Sequence, residues 1–432
     1  MFGELRESSN RRFDTPTPYF ARVYIFLADQ HHTSTINAEA TPTTMNKNNL
    51  GCPCCAIDLF LPPSYKEDND GVDYEENDET AQLAKEDPTA NDDGPCSPQE
   101  AIDSLVSSLT NTKNGGDENK SNKRPTLVLV DTHHHAQLDR GRDEAYDIAS
   151  DDVNIAKEAE IRLISLTCAV EPADWKATLE FASSSKDTLP GLGVHPWYLA
   201  DLPDNWLQEL EDLLISHPSS FVGEIGLCKM ARFVRQHPEG KTKALEIQRA
   251  VFKQQMILAA KLRRPVSVHC VNQHGVFISV LEELLELASS KDDSPLHSFP
   301  VAIGMHSFTG TAHQVKQLLN FETKVQSRGA KKKKKQPAPA DPLFYFGFSH
   351  TVNHVMCTSE KSRKKGREAV RSIPENRLLA ESDVHSSHDL CGGTAGAVAY
   401  IAWARDASLQ EIANVTAKNG LAFLRRAVDL DD

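Results

Sequence analysis

The sequence has no apolar run long enough to cross a bilayer, so no membrane-spanning helix is expected. Between Met1 and Asp29 it lacks the basic-then-apolar pattern of a secretory leader, and Glu4, Glu7 and Asp14 argue against a mitochondrial transit segment. Cysteine is sparse: nine are scattered along 432 residues, with one cluster at Cys52, Cys54 and Cys55. Reduced thiols are the expectation, with a metal role for the cluster as the lesser reading. Together these absences point to the cytoplasm or nucleus. An excess of basic charge is also missing, since 47 Lys and Arg face 61 Asp and Glu for a net charge of −14. That balance argues against broad, nonspecific affinity for nucleic acid, but not against a local site where metal ions supply the positive charge.

The acidity is uneven. Residues 1–125 carry about −11 of the total, leaving about −3 for the rest. From Lys66 to Pro95 the chain is rich in Asp, Glu and Asn and almost without aromatics, so it cannot bury a core. Residues 107–125, with Asn111, Asn114, Gly115, Gly116 and Asp117, read as a linker. The apolar patch Ile57 to Leu61 is either incidental or a weak docking segment. Residues 1–125 are therefore expected to form a disordered, low-complexity extension, and residues 126–432 the folded domain.

From Thr126 onward, strand-like apolar runs alternate with amphipathic stretches. The strand candidates are Leu127–Asp131, Leu163–Cys168, Gly191–Val194, Phe221–Ile225, Val266–Val268, Val301–Met305, Leu343–Phe348 and Leu378–Ala380. The spacing predicts helices between them, among them Asp151 to Ile161 and Lys243 to Leu262. Eight strands joined by helices argue for the α/β class and a closed (β/α)₈ TIM barrel. Gln326–Asp341 breaks the rhythm with Lys331 to Lys335, Pro337 and Pro339. It reads as a solvated loop insertion, or as a nuclear-localisation or anion-binding patch, on the face away from the strand C-termini.

Those C-termini carry the chemistry. His133, His135, Glu224, His269, His306 and Asp383 each follow a strand-like run, and a barrel gathers the C-terminal ends of all its strands on one face. Four imidazoles and two carboxylates exceed the needs of one catalytic metal but suit two. His133 and His135 alternate along a strand, so they point the same way and His134 points elsewhere. Glu224, flanked by Gly223 and Gly226 in an apolar strand, needs cations to offset the cost of a buried charge. Asp383 can bind metal and take a proton from water. The alternatives are an Arg-paired Glu224, hydrogen-bonded core histidines and an N-capping Asp383. Glu381 is placed to support the set, while His385 and His388 read as loop histidines.

With these residues in order, the chain resembles the TatD-type metal-dependent deoxyribonucleases, within the metal-dependent hydrolase barrels. The motifs are Asp131–His135, Gly193-Val194-His195-Pro196, Gly223-Glu224-Ile225-Gly226-Leu227, then Gln248, Phe252, Gln255 and Ala259 ahead of Pro265-Val266 and His269, His306 to Gly310, and Glu381-Ser382-Asp383. The resemblance implies His133, His135, Glu224 and Asp383 around one metal and Glu224, His269 and His306 around a second. It implies His195 near the substrate phosphate, and 3′-to-5′ exonuclease-like phosphodiester hydrolysis with Mg²⁺ or a similar ion such as Zn²⁺ or Mn²⁺. Four positions depart from the pattern: Cys228 stands for Asp, Trp197 for His, Cys270-Val271-Asn272 where an Arg is usual, and Val384-His385 where Pro is usual. Such departures resemble a eukaryotic branch, fungal members of which bind a cell-cycle ubiquitin-ligase subunit.

The expected activity is thus two-metal hydrolysis of single-stranded DNA ends. Trp197 is a candidate to stack on a base or to pack at the barrel rim. Lys361, Arg363, Lys364, Lys365 and Arg367 after the seventh strand are candidates for backbone phosphates, or a solvated helix start. Two other readings stand beside this one: a barrel hydrolase of C–N or C–O bonds, and an interaction protein binding a partner through its tail or loops.

Overall fold

The computed structural model describes residues 94–111, 125–139, 160–289, 299–330 and 341–427. Helix α1 (Pro98–Asn111) is followed by β1 (Thr126–His134), β2 (Glu160–Cys168), α2 (Trp175–Ser183), β3 (Thr188–Leu192), α3 (Trp206–Ser216) and β4 (Phe221–Cys228). After a helical turn at Arg232–Arg235 come α4 (Lys241–Lys261), β5 (Val266–Val271), α5 (His274–Ser289), β6 (Ile303–Met305), α6 (Ala312–Ala330) and β7 (Phe344–Phe348). The chain ends with α7 (Glu360–Ser372), β8 (Leu378–Ala380), α8 (Leu390–Arg405) and α9 (Leu409–Arg425). All eight strands pair in parallel and in sequence order. The ring closes where Thr132 Oγ1 donates to the Ala380 carbonyl at 3.1 Å and Asp383 N donates to the His133 carbonyl at 3.0 Å. The fold is a (β/α)₈ TIM barrel, and among the described residues no helix is long and apolar enough to cross a membrane.

Several boundaries differ from the sequence reading. β3 lies earlier than Gly191–Val194, because Gln255 on α4 takes both polar groups of Val194: its Oε1 accepts from Val194 N at 2.7 Å and its Nε2 donates to Val194 O at 3.0 Å. Those bonds pull the segment carrying His195 out of the sheet. Of the helix expected over Asp151 to Ile161, Glu160 and Ile161 instead open β2, paired with Thr126 and Leu127, and the remainder lies outside the described residues. α6 extends through Ala330, so the first residues of the Gln326–Asp341 insertion are helical, and Lys331–Lys335 lies outside the described residues. The Cys52 cluster and the Ile57–Leu61 patch also lie outside them.

The expectation that everything before residue 126 lacks structure is corrected over α1. Ser97 and Glu100 form a reciprocal cap: Glu100 N donates to Ser97 Oγ at 3.3 Å, and Ser97 N donates to the Glu100 carboxylate at 2.8 Å. Pro98 occupies the first helical position, which has no hydrogen bond to lose. Ala101, Ile102, Leu105 and Val106 recur on one face and are buried against the barrel. α1 packs on α8, where a Cβ on Gly396 would come within 2.9 Å of Pro98 Cγ.

The N-terminal end of the barrel is built for stability. Phe423 from α9 fills it, 5.2 Å from the rings of both Phe221 and Tyr345, and Gly304 leaves it room. Beside it the buried Glu322 carboxylate accepts from Arg377 Nη1 and Nη2 at 2.6 and 2.8 Å and from the amides that open β7. The candidate metal ligands gather at the opposite end.

Candidate metal centre

The six expected residues, and His195, arrive from six strand ends or the turns after them. His133 lies within β1, and His135 just beyond it. Glu224 lies within β4 at a break in register between Val222 and Ile225, where its amide donates to the Ala169 carbonyl at 3.0 Å instead of to β5. His269 lies within β5, His306 follows β6, Asp383 follows β8 and His195 follows β3. All are buried.

Glu224 is the centre of the arrangement. Its Oε2 lies 3.5 Å from His133 Nε2 and 3.2 Å from His135 Nε2. Its Oε1 lies 3.0 Å from His269 Nδ1, 3.4 Å from His195 Nε2 and 3.5 Å from His306 Nε2. Each carboxylate oxygen thus faces its own set of imidazoles. Asp383 spans both sets, with Oδ1 3.8 Å from His135 Nε2 and Oδ2 3.6 Å from His306 Nε2. Three triads have ligand atoms mutually within 4.8 Å: His133, His135 and Asp383; His133, Glu224 and His306; His195, Glu224 and His269.

The far sides of these rings are tethered. His135 Nδ1 lies 2.7 Å from the Cys168 carbonyl, an acceptor, so in the neutral ring that nitrogen carries the proton and leaves Nε2 free for a cation. His306 Nδ1 faces Glu381 Oε1 at 2.9 Å. His133 Nδ1 bonds Ser267 Oγ at 2.7 Å. Glu381 also accepts from the Ser307 amide, and Gly347 makes room for it, since a Cβ there would lie 2.1 Å from Glu381 Oε2. Asp131, which the sequence reading left without a role, pins β1 to the turn after β8. It accepts from His133 N at 3.2 Å, Ser382 N at 3.0 Å and Thr394 Oγ1 at 3.0 Å. Ser307 and Asp383 sit at φ 38° and 56°, a left-handed conformation that costs on the order of 1–3 kcal/mol per non-glycine residue and clusters at functional sites.

These features fit divalent cations. His133 Nε2 and His135 Nε2 face each other at 3.2 Å, an arrangement of lone pairs that a shared cation makes favourable. Asp383 Oδ1 is buried with no hydrogen-bond partner among the described residues. Without cations, protons must balance the carboxylates. Burial opposes charge on Glu224, but His195, His306 and His133 outweigh it and hold the carboxyl well below its usual range. Burial likewise opposes charge on His306, yet Asp383, Glu381 and Glu224 carry it up to about 9. Burial and the neighbouring His306 drive His133 well below its ordinary value.

His134 turns away from this cluster: its Nδ1 accepts from Ala136 N at 3.1 Å and its ring packs on Phe181. Trp197 is half-buried, and its indole N–H points to Cys228 Sγ at 3.3 Å, so two of the residues that depart from the family pattern touch each other. Gln248 holds both flanks of that contact, accepting from Cys228 N at 2.8 Å and donating to Pro196 O at 3.1 Å. His385, read from sequence as a loop histidine, lies over the cluster with its ring 5.0 Å from His135. Nothing in its spacing could have revealed that, because the turn after β8 folds back only in three dimensions.

A parallel barrel with imidazoles and carboxylates converging at its C-terminal end defines a metal-dependent hydrolase. The chain belongs to the TatD related DNase family, which matches residues 130–425. It is 22% identical over 330 residues to Cut9-interacting protein scn1 of Schizosaccharomyces pombe, covering 60% of this chain and 91% of that protein. It is 25% identical over 309 residues to the uncharacterized metal-dependent hydrolase YabD of Bacillus subtilis, covering 69% of this chain and 99% of that protein. Over a shorter span of 129 residues it is 33% identical to the 3′-5′ ssDNA/RNA exonuclease TatD of Edwardsiella piscicida, covering 30% of this chain and 42% of that protein.

Proposed function

We propose that this chain hydrolyses phosphodiester bonds at the ends of single nucleic-acid strands, using two divalent ions that share Glu224. The observation that supports it most is the division of the Glu224 carboxylate, Oε2 toward His133 and His135 and Oε1 toward His269, His306 and His195. His133, His135 and Asp383 would complete one site, and His269 and His306 the other. Ions bound there supply positive charge to phosphate oxygens and lower the pKa of water. The imidazole-rich donor set favours Zn²⁺ over Mg²⁺ and Mn²⁺, which suit oxygen ligands. Asp383 Oδ1, buried and without a hydrogen-bond partner among the described residues, accepts the proton of the attacking water. His195, on the side nearest Trp197, holds a phosphate oxygen, and Trp197 presents its ring to the adjoining base.

The nuclease names of relatives support the substrate class, and a single strand enters a barrel mouth more readily than a duplex. The intact ligand set argues against a chain that only binds partners, although the name of the fission-yeast relative leaves room for a second, protein-binding role. The test is release of nucleotides from an end-labelled oligonucleotide, compared with turnover of cyclic amides and lactones. Stepwise shortening from the 3′ end, abolished by chelator and restored by metal, is the expected result. Turnover of an amide or lactone with no cleavage of nucleic acid would overturn it.

A further inference from the structure

We propose that an exposed lysine stripe on α7, formed by Lys361, Lys364 and Lys365, holds backbone phosphates of the nucleic-acid strand beyond the scissile bond. This rests on the phosphodiesterase reading above and extends the site outward along the barrel rim.

The three lysines are spaced i, i+3 and i+4, so they share one face of the helix. All are exposed, and none has an acidic partner within ion-pair distance among the described residues. The other basic residues of α7 are engaged elsewhere. Arg367 lies over the Trp403 ring at 4.7 Å and pairs with Asp406, Arg371 pairs with Asp406, and Arg363 Nε donates to the Cys357 carbonyl at 2.9 Å.

Glu360 and Glu368 stand four residues to either side of Lys364, but neither forms an ion pair with the stripe. Like charges at i, i+3 and i, i+4 repel, each pair costing a few tenths of a kcal/mol. Cations near a helix N-terminus also oppose the helix dipole, which is positive at that end. The two fields add, and an anion placed before α7 is attracted by both. In a chain of net charge −14, the arrangement is locally the reverse of the whole.

The location fits a strand leaving the metal centre. α7 starts on the C-terminal face of the barrel, after β7 and a π-helical turn at Thr351–Val355. That connection is tied to the centre: Asn353 Oδ1 accepts from Ser349 N at 2.8 Å, Ser349 Oγ lies 3.0 Å from Ser307 Oγ, and Ser307 Oγ donates to Asp383 Oδ2 at 3.3 Å. Val355 and Met356 are exposed in the same connection, offering apolar surface to bases while the lysines take phosphates. A single strand presents both.

The experiment uses the full chain and the triple variants Lys361→Glu/Lys364→Glu/Lys365→Glu and Lys361→Gln/Lys364→Gln/Lys365→Gln. Hydrolysis of a long oligothymidylate, a thymidine dinucleotide and bis-p-nitrophenyl phosphate is followed over a range of salt, with anisotropy of a labelled oligothymidylate as a binding measurement. For the long strand, KM should rise on the order of tenfold and the slope of log affinity against log salt should become shallower by about 2, as for three lost contacts to a single strand. The effect should be absent for the two short substrates, and Lys186→Glu on the opposite face should change nothing. Unchanged KM and salt slope for the long strand would overturn the proposal while leaving the phosphodiesterase reading intact. If the wild-type chain cleaves no phosphodiester, that reading fails, and anisotropy alone decides the stripe: salt-sensitive binding lost in both triple variants supports it, and binding that is equal or absent in all chains rejects it.

Discussion

Glu224→Gln is expected to lower kcat/KM at least about a hundredfold, or about 3 kcal/mol of transition-state stabilisation, and to strip metal from both halves of the centre. The substitution keeps the shape of the side chain and removes its charge. In the native chain that charge lies within 3.5 Å of five imidazole nitrogens, and no other carboxylate among the described residues reaches both sets as closely. An amide in its place offers one neutral oxygen to one side and an N–H to the other. His195→Ala is the informative comparison. His195 shares the Oε1 side but is assigned to phosphate, so its loss should cost less rate and leave metal content unchanged. Kinetics and metal analysis of both variants on one oligonucleotide make the check. A Glu224→Gln chain with near-normal activity and full metal would refute the bridging role, and a His195→Ala chain that loses an ion would make His195 a ligand.

Removing α1 is expected to cost several kcal/mol of stability, although no metal-site residue lies on it. Ile102, Leu105 and Val106 are at most 4% exposed. Burying each is worth about 1.5–3 kcal/mol, and area-based figures of this kind are upper estimates. Even half of that total is a large share of the 5–15 kcal/mol typical of a folded domain, about one part in three. The loss would also reach the chemistry, because α1 packs on α8, and Thr394 of α8 holds the Asp131 carboxylate that fixes β1 beside Asp383. A chain starting at Gly94 should therefore unfold like the full protein, while one starting at Ser121 should melt several degrees lower. Equal melting temperatures would show that α1 is dispensable.

The barrel was legible because each strand announces itself as a short apolar run, and because ligand-type residues stand at the ends of those runs. β7 and β8 fall almost where the pattern places them, and β5 starts where expected but runs on to Val271, taking in His269. β3 does not, since the bonds from Gln255 that pull Val194 out of the sheet come from a residue 61 positions away. α1 was hidden by averaging: the acidic composition of residues 1–125 masks a five-residue apolar pattern, Ala101, Ile102, Leu105, Val106 and Leu109, that a local reading would have found. At the site, residue identity was readable but not geometry. No spacing says that Glu224 divides its oxygens between two sets of imidazoles, that Trp197 leans on Cys228, or that His385 returns to cover His135.

The central claim is that one buried carboxylate joins two metal sites. A crystal of the wild-type chain soaked in Mn²⁺, with anomalous scattering measured near the manganese edge, tests it directly. The account predicts two anomalous peaks flanking Glu224, one among His133, His135 and Asp383, and one beside His269 and His306. A single peak at saturating metal, or two peaks that Glu224 does not touch, would contradict it.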